Sequence, residues 1–446
     1  MQRLNSINIQ DAAYSLMKTN KGKNIIFASV FITIILWFFS KTSFSEILDN
    51  PLLSLSQIFS LIGLLLMMTS LILTTRIRKV EDFFGGLDRV YGMHHIIGSV
   101  SFVLLINHPL LLAVKALPNI SLALQYMIPG SFLPYNLGIF ALYVMITGLL
   151  FIVFIRLPYH VWKGLHTTMG FAGIMGATHA LLITSDIAVF LPLRVWMIGW
   201  IILGFLGFIY ILIFYDIIGP LFTYEITKLD RVLDVVNIYA KPIRKKIEFV
   251  PGQFAYISFS NEKLGSEQHP YSFSSAPEEK EIRITAKMFG DYTVKLPFLR
   301  VGDRMYLKGP YGKFGDVYIE GKKPLVWIVG GIGVTPFLSM LRHHSQLIEE
   351  RKILLFYCFS TKEEAIFSDE IKRLISEKKS IEAYEWCSAE KGRFSVNKVL
   401  EILEKYHNYD VQICGPGTMI DNLQNQFREI DVMKTGCYLK GFKWYE

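Results

Sequence analysis

The first 218 residues alternate between long apolar runs and short polar connections, and the rest of the chain does not. Six runs have the length a bilayer core requires, at roughly 24–41, 55–75, 92–114, 134–156, 166–184 and 194–218. The first, Ile25 to Ser40, follows Lys18, Lys21 and Lys23 and has no small-residue cleavage site after it, so it is expected to stay as an uncleaved span. After Pro220 the pattern shortens. Arg231 to Tyr239, Phe254 to Phe259 and Ile282 to Met288 read as strands of a small antiparallel barrel. Beyond residue 320, buried-strand runs at Pro324–Val329, Ile353–Phe359 and Val411–Ile413 are separated by helical stretches, the alternation of an α/β layer. The expected domains are an arm at 1–23, a membrane domain at 24–220, a barrel at 221–320 and an α/β domain at 321–446.

The spans carry unusual cargo. The third holds His94, His95 and His108, and the fifth His166 and His179. Ionisable side chains inside apolar spans are costly and usually functional. With six spans the third and fifth run in the same direction, so His94 and His166 share one depth and His108 and His179 another. Haem ligation explains two such pairs, with the levels roughly 20 Å apart at 1.5 Å rise per residue. His94 and His108 are about 40° from sharing one helix face, whereas His166 and His179 are about 140° apart on a straight helix. Gly170, Gly173 and Gly176 lie between the latter two. They predict a local distortion of the fifth span or haems offset around it, or else close packing against another helix. His160 is expected to be a surface or haem-propionate neighbour.

Charge sets the direction. Arg3, Lys18, Lys21, Lys23, Arg76, Arg78, Lys79, Arg89, Arg156 and Lys163 flank one side of the spans, against Lys41, Lys115 and Arg194 on the other. Positive-inside logic puts the N-terminus and the whole soluble half in the cytoplasm. The net charge of +8 forms no dense basic tract, which excludes nucleic acid as the partner and leaves the lipid bilayer. The cysteines, Cys358, Cys387, Cys414 and Cys437, all lie in the soluble half without a Cys-x-x-Cys pair, so a disulfide framework, a zinc site and an iron–sulfur cluster are not expected.

Three loops of the barrel could jointly hold a flat ring and a pyrophosphate: His269-Pro-Tyr-Ser-Phe-Ser-Ser275, Lys287-Met-Phe-Gly-Asp-Tyr-Thr293 and Lys308-Gly-Pro-Tyr-Gly312. Gly330-Gly-Ile-Gly-Val-Thr-Pro336 follows a strand and opens a helix, with Thr335 expected at the N-cap and Pro336 at the first helical position. Such a turn lets a dinucleotide pyrophosphate approach the helix N-terminus. Cys414-Gly-Pro-Gly417 is a second turn at the carboxyl edge of the sheet. Ser360 and Lys362 either recognise a 2′-phosphate or are ordinary solvated surface.

Together these motifs resemble the NADPH oxidase and ferric reductase superfamily, closest to bacterial NADPH oxidases, over nearly all of 55–446. The resemblance implies a six-span haem domain fused to a ferredoxin-reductase-like module. His94-His-Ile-Ile-Gly98 matches the family's third-span motif and favours His94 over His95 as a ligand, giving His94, His108, His166 and His179 as the axial ligands of two b-type haems. It implies that His269, Pro270, Tyr271, Ser272, Phe273, Ser274 and Ser275 hold the flavin ring and ribityl chain of FAD. Lys287, Gly290, Asp291 and Thr293 would take its pyrophosphate. Gly331, Gly333, Val334, Thr335 and Pro336 match the nicotinamide-nucleotide loop, and Cys414, Gly415 and Pro416 the turn beside the nicotinamide. Phe442 resembles the aromatic that closes over the flavin, with Trp444 the competitor because Lys440 stands where the family has an acidic residue.

The implied activity is electron transfer from cytosolic NADPH, with NADH the alternative, through FAD and both haems to an outer acceptor. Oxygen, giving superoxide, is the expected acceptor; a ferric chelate, a quinone or a partner protein are the rivals, and no obligatory protein partner is expected. A transporter with intramembrane histidines is the reading from another class. The protein is expected in the bacterial cell membrane.

Overall fold

The computed structural model describes residues 9–155, 157–345, 351–403, 409–429 and 437–442. The chain divides into two compact units, Met1–Gly219 and Pro220–Glu446.

The first unit is helical. Its long helices are α1 (Ile9–Phe39), α2 (Pro51–Leu73), α3 (Leu87–Ala116), α4 (Leu133–Phe154), α5 (Tyr159–Leu182) and α6 (Leu191–Ile209). Among the described residues, five stretches are long and apolar enough to cross a bilayer: Lys21–Phe39, Pro51–Leu73, Leu87–Ala116, Leu133–Ile152 and Leu191–Ile218. The fifth expected span is a helix, but it starts earlier than 166 and does not meet that standard. His160, Lys163, His166, Thr167, Thr168, Thr178 and His179 dilute its apolar content. Nor does it show the expected distortion, since Tyr159–Leu182 is continuous α-helix. The irregularity sits in the last span instead, where a π-helical turn, Tyr210–Phe214, follows α6.

Leu64, Met67, Met68, Leu71, Met145, Ala172, Leu193, Met197 and Phe208 form the unit's apolar core. Outward-facing apolar side chains such as Phe27, Val103, Phe140, Phe171 and Leu206 are exposed, as a lipid-facing surface requires. α2 packs along α3, α4 along α5, and α6 against α2. Small residues set the closest approaches. A Cβ at Gly63 would stand 2.8 Å from Leu105, and one at Gly204 2.8 Å from Met68. At one end Lys41 is buried and its ammonium donates to Asp186 (2.7 Å) and Gln57 (2.8 Å), tying two connections to α2.

The second unit starts with a six-stranded antiparallel sheet in the order β4-β3-β6-β1-β2-β5. Its strands are β1 (Leu221–Val232), β2 (Val235–Pro242), β3 (Phe254–Phe259), β4 (His269–Ser272), β5 (Ile282–Lys287) and β6 (Arg304–Tyr311). A bridge between Phe273 and Ile284 joins its two edges, so the sheet curls toward a barrel around Ile226, Ile238, Ile257, Phe273 and Leu307. The expected strand Arg231–Tyr239 is instead the middle of the β1–β2 hairpin. Val232 pairs with Val235 across a two-residue turn in which Leu233 takes φ 53°, a left-handed conformation rare for a leucine. No Asn-Gly or Asp-Gly marks that turn.

A five-stranded parallel sheet follows, ordered β11-β10-β7-β8-β9, from β7 (Leu325–Gly330), β8 (Ile353–Phe359), β9 (Ile381–Cys387), β10 (Asp410–Pro416) and β11 (Cys437–Phe442). Alternate residues of β7 feed two cores. Leu325, Trp327 and Val329 face one, Val326 and Ile328 the other, as a sheet covered on both faces demands. The buried polar pair is closed: Trp327 Nε1 donates to Gln412 Oε1 (2.7 Å), and Gln412 Nε2 donates to the Phe314 carbonyl (2.6 Å).

Candidate functional sites

The helical unit brings its histidines together in two pairs. The ring centroids of His94 and His166 are 5.8 Å apart, and those of His108 and His179 are 6.5 Å apart. His95 is exposed and in neither pair. Both pairs form although α5 is regular and leaves His166 and His179 about 140° apart around its axis. Among the described residues no three His, Cys, Asp or Glu side chains converge on one point.

The spacing of each pair would fit one shared metal ion. An imidazole nitrogen bonds a metal at about 2 Å, so two rings bonded to one ion from opposite sides would have centroids about 6 Å apart, against the 5.8 and 6.5 Å found here. The planes are turned by 79° and 68°.

Their outer nitrogens are anchored. His94 Nδ1 lies 2.8 Å from Ser70 Oγ and 3.1 Å from the Ser70 carbonyl. His108 Nδ1 lies 2.8 Å from Ser56 Oγ and 3.0 Å from the Ser56 carbonyl, while that hydroxyl donates to the His108 carbonyl at 2.9 Å. His179 Nδ1 lies 2.6 Å from the Pro134 carbonyl. A carbonyl only accepts, so Nδ1 carries the proton in these three and Nε2 keeps its lone pair for a metal. His166 stacks parallel on Trp162 at 5.2 Å.

The sequence argument missed these anchors, although a signal was present. Ser56, Gly63 and Ser70 step along α2 at seven-residue intervals, as do His108, Ser101 and His94 in the opposite direction along α3. The middle rung is Ser101 Oγ donating to the Gly63 carbonyl at 2.8 Å. A seven-residue repeat on two packed helices is a coiled-coil seam, here with polar rungs.

In the barrel, the segment His269–Ser275 divides its labour. His269 stacks on Tyr292 (3.8 Å between centroids), and its Nε2 lies 3.1 Å from Glu267. Tyr271 is buried with a hydroxyl that has no hydrogen-bond partner, and burial pushes its pKa up, keeping it a donor. A flavin oxygen or nitrogen would satisfy it. Phe273 is wholly buried and stacks on Phe249 at 4.0 Å. Ser274 Oγ bonds the Arg283 carbonyl (3.0 Å) and Thr285 Oγ1 (2.8 Å), and Ser275 Oγ accepts from the Arg283 N–H (3.0 Å). These three brace the segment from behind. Gly290 takes φ 86° and opens a helical turn, Gly290–Thr293, over open space; Thr293 Oγ1 accepts from the Phe289 N–H at 2.7 Å. Lys287 pairs with Asp234 at 3.1 Å.

In the parallel sheet, β7 runs into a tight 3-10 turn, Gly331–Val334, and then α7 (Thr335–His344). Thr335 is thus the first helical residue and Val334 the cap, one position earlier than expected, because the 3-10 turn already winds the chain. Gly331 has φ 49° with nothing within 4 Å of a Cβ, the open cradle a pyrophosphate needs. Behind it the turn packs on the β10 loop: a Cβ at Gly333 would stand 2.4 Å from the Cys414 carbonyl oxygen, and one at Gly330 2.9 Å from Pro416. Cys414 is buried. β11 pairs beside β10, setting Phe442 opposite Pro416 at the carboxyl edge; Trp444 lies outside the described residues. At the end of β8, Lys362 forms an exposed ion pair with Glu390 (2.6 Å), and the Ser360 N–H donates to Glu364 (3.1 Å).

Comparison with known proteins matches this layout in order. A ferric reductase like transmembrane component matches residues 59–177, an FAD-binding domain 222–314 and an oxidoreductase NAD-binding domain 327–425. The chain has the ferric-reductase-like flavocytochrome architecture. It carries the FAD- and NAD-binding domains of an oxidoreductase after a membrane component in chain order.

This flavocytochrome-like chain is 30% identical over 214 residues to the reductase component of propane 2-monooxygenase from Mycolicibacterium smegmatis, covering 43% of the chain and 58% of that protein. It thus spans less than two thirds of that relative. It is 30% identical over 197 residues to a probable dihydroorotate dehydrogenase B (NAD(+)) electron transfer subunit from Methanocaldococcus jannaschii, covering 43% of the chain and 67% of that protein. In fold it is similar to a flavohemoglobin from Malassezia yamatoensis, with a TM-score of 0.50 and 17% identity over 90% of this chain and 99% of that one.

Proposed function

We propose that this protein moves electrons from cytosolic NAD(P)H through FAD and two bis-histidine b-type haems to an acceptor at the outer face of the bacterial cell membrane. The observation that carries this reading is the two histidine pairs, with three of the four rings anchored through Nδ1. Bound FAD would accept a hydride and release single electrons, and the haems would relay them one at a time. His94 and His166 would hold the inner haem, His108 and His179 the outer, with both iron faces closed to further ligands. His269, Pro270, Tyr271 and Ser272 would line the flavin, Lys287, Gly290, Asp291 and Thr293 its pyrophosphate, and Phe442 would cover its ring. Gly331, Gly333, Val334, Thr335 and Pro336 would seat the nucleotide pyrophosphate, with Cys414, Gly415 and Pro416 beside the nicotinamide. Lys362, tied to Glu390, would need to exchange that partner to meet a 2′-phosphate.

Six spans with the N-terminus inside would put the nucleotide site in the cytoplasm, a reading supported by the distribution of Lys and Arg around the apolar runs. With the four histidines holding the haem irons, an acceptor would be reduced without binding iron, which suits oxygen: one NAD(P)H and two O2 would give NAD(P)+, a proton and two superoxide ions. The family description favours a ferric chelate as the second acceptor. Purified protein given NAD(P)H with oxygen as sole acceptor should produce trapped superoxide at a rate that does not depend on added ferric chelate. Turnover only with the chelate would replace oxygen by iron.

Ser70→Ala removes one of the two acceptors facing His94 Nδ1 but leaves the carbonyl. The expected result is a weakened inner site, with haem retention down toward the lower end of the 10–100-fold range for supporting partners. The outer haem of the same molecule is the internal control in a dilution assay.

A further inference from the structure

The flavin segment and the nucleotide domain are joined by a half-buried ionic cluster whose three charged residues, Arg283, Arg342 and Glu370, lie outside the cofactor motifs. Arg283, on β5, has a side chain only 4% exposed. Its Nη1 and Nη2 donate to the two carboxylate oxygens of Glu370 at 2.9 and 2.8 Å, a bidentate fork. Glu370 lies on α8 (Ser368–Ile375), in the parallel-sheet domain. The same guanidinium reaches back to the flavin segment, donating from Nε to Ser274 Oγ (3.2 Å) and from Nη2 to the Ser274 carbonyl (3.3 Å).

A second arginine closes the cluster from the helix that follows the nucleotide loop. On α7, Arg342 donates to Glu370 Oε1 from Nη2 (2.8 Å) and Nε (3.1 Å), and to Glu279 Oε1 from Nη1 (3.3 Å). One turn earlier Ser339 Oγ donates to the Ser275 carbonyl at 2.7 Å, and His343 Nδ1 lies 2.8 Å from Glu278. Burial alone would raise the Glu370 pKa, but the two guanidiniums outweigh it and hold the carboxyl below its usual range. One carboxylate thus serves three elements: the flavin segment through Arg283, the nucleotide helix through Arg342, and its own helix.

We propose that Glu370, with Arg283 and Arg342, is a positioning clasp that fixes the nicotinamide loop against the flavin segment and so sets the hydride-transfer distance. The proposal rests on the reading that NAD(P)H reduces FAD in this unit. Nucleotide and flavin would each be held by their own loops, and none of Arg283, Glu370 and Arg342 belongs to either. Loosening it leaves both ligands bound but misaligned, and a misplacement of about 1 Å costs on the order of 100-fold in a transfer step. A clasp that only stabilised the fold would instead release FAD or lower the amount of folded protein.

The test uses full-length protein loaded with FAD and follows flavin bleaching by NADH and by NADPH in an anaerobic stopped-flow instrument. Glu370→Gln keeps the shape and removes the charge. The expected result is a limiting rate of flavin reduction at least about 10-fold lower, with the nucleotide concentration for half-maximal rate changed less than about 2-fold and FAD content unchanged. Arg342→Gln, which leaves the Arg283–Glu370 fork intact, should lie between it and wild type. A wild-type limiting rate in E370Q, or a loss that tracks lost FAD, overturns the clasp. A wild-type protein whose flavin neither nucleotide reduces overturns the functional reading and the clasp with it.

Discussion

His94→Ala is expected to end electron delivery to the acceptor while NAD(P)H still reduces the flavin. The substitution removes one of two nitrogens that face each other across 5.8 Å between ring centroids, and His95 does not replace it because it is exposed and outside the pair. Losing even a supporting partner of a metal ligand costs 10–100-fold, so loss of the ligand itself should exceed about 100-fold in acceptor reduction. His166→Ala should behave alike, and His95→Ala should keep the haem spectrum. Anaerobic spectra after NAD(P)H addition separate the steps: the flavin bleaches and the remaining haem stays oxidised. Unchanged haem spectra in both H94A and H166A would sink the assignment.

The second large effect lies at Gly333→Ala. The new methyl would meet the Cys414 carbonyl oxygen at 2.4 Å, its carbonyl carbon at 2.6 Å and the Gly415 nitrogen at 2.7 Å. All three are backbone atoms of β10, so no rotamer relieves the contact. Overpacking of this kind costs about 1–3 kcal/mol, and the turn can yield only by parting from the β10 loop. The half-saturating nucleotide concentration should rise at least about 10-fold, with FAD and haem contents retained. Gly331→Ala meets open space and carries only the left-handed backbone cost, about 1–2 kcal/mol, so it should be milder in stability. An unchanged nucleotide dependence in G333A would show that the turn does not hold the pyrophosphate.

Much of this architecture was legible because its signals are local. Apolar runs of bilayer length located the helices, and Ile353–Phe359 is a strand with the bounds read from its composition. The strand–glycine–helix order of the nucleotide loop was readable to within a residue. The β1–β2 hairpin was not, since Leu233 adopts its left-handed turn without the residues that normally announce one. α5 was read as an apolar span although its polar residues lower its hydrophobicity; of the readings offered for its glycines, the distortion did not occur, and Gly170 packs closely on Phe208 of another helix. The histidine pairing was approachable because depth in a bilayer can be counted along the chain. The Arg283–Glu370–Arg342 cluster was invisible: its members come from three elements far apart in sequence, and charged residues on a soluble domain ordinarily read as solvated surface.

The polar rungs between α2 and α3 also act as a ruler. Ser56 faces His108 and Ser70 faces His94, so the same helical stretch sets the spacing of both histidine levels. Inserting a single residue between Ser56 and Ser70 would rotate one serine by about 100° and strand one of the two histidines, wherever in that stretch it fell. Length changes here are tolerable only as whole heptads made in both helices at once, so the gap between the two histidine levels is a quantised property of this protein, adjustable in steps of roughly 10 Å and in nothing finer.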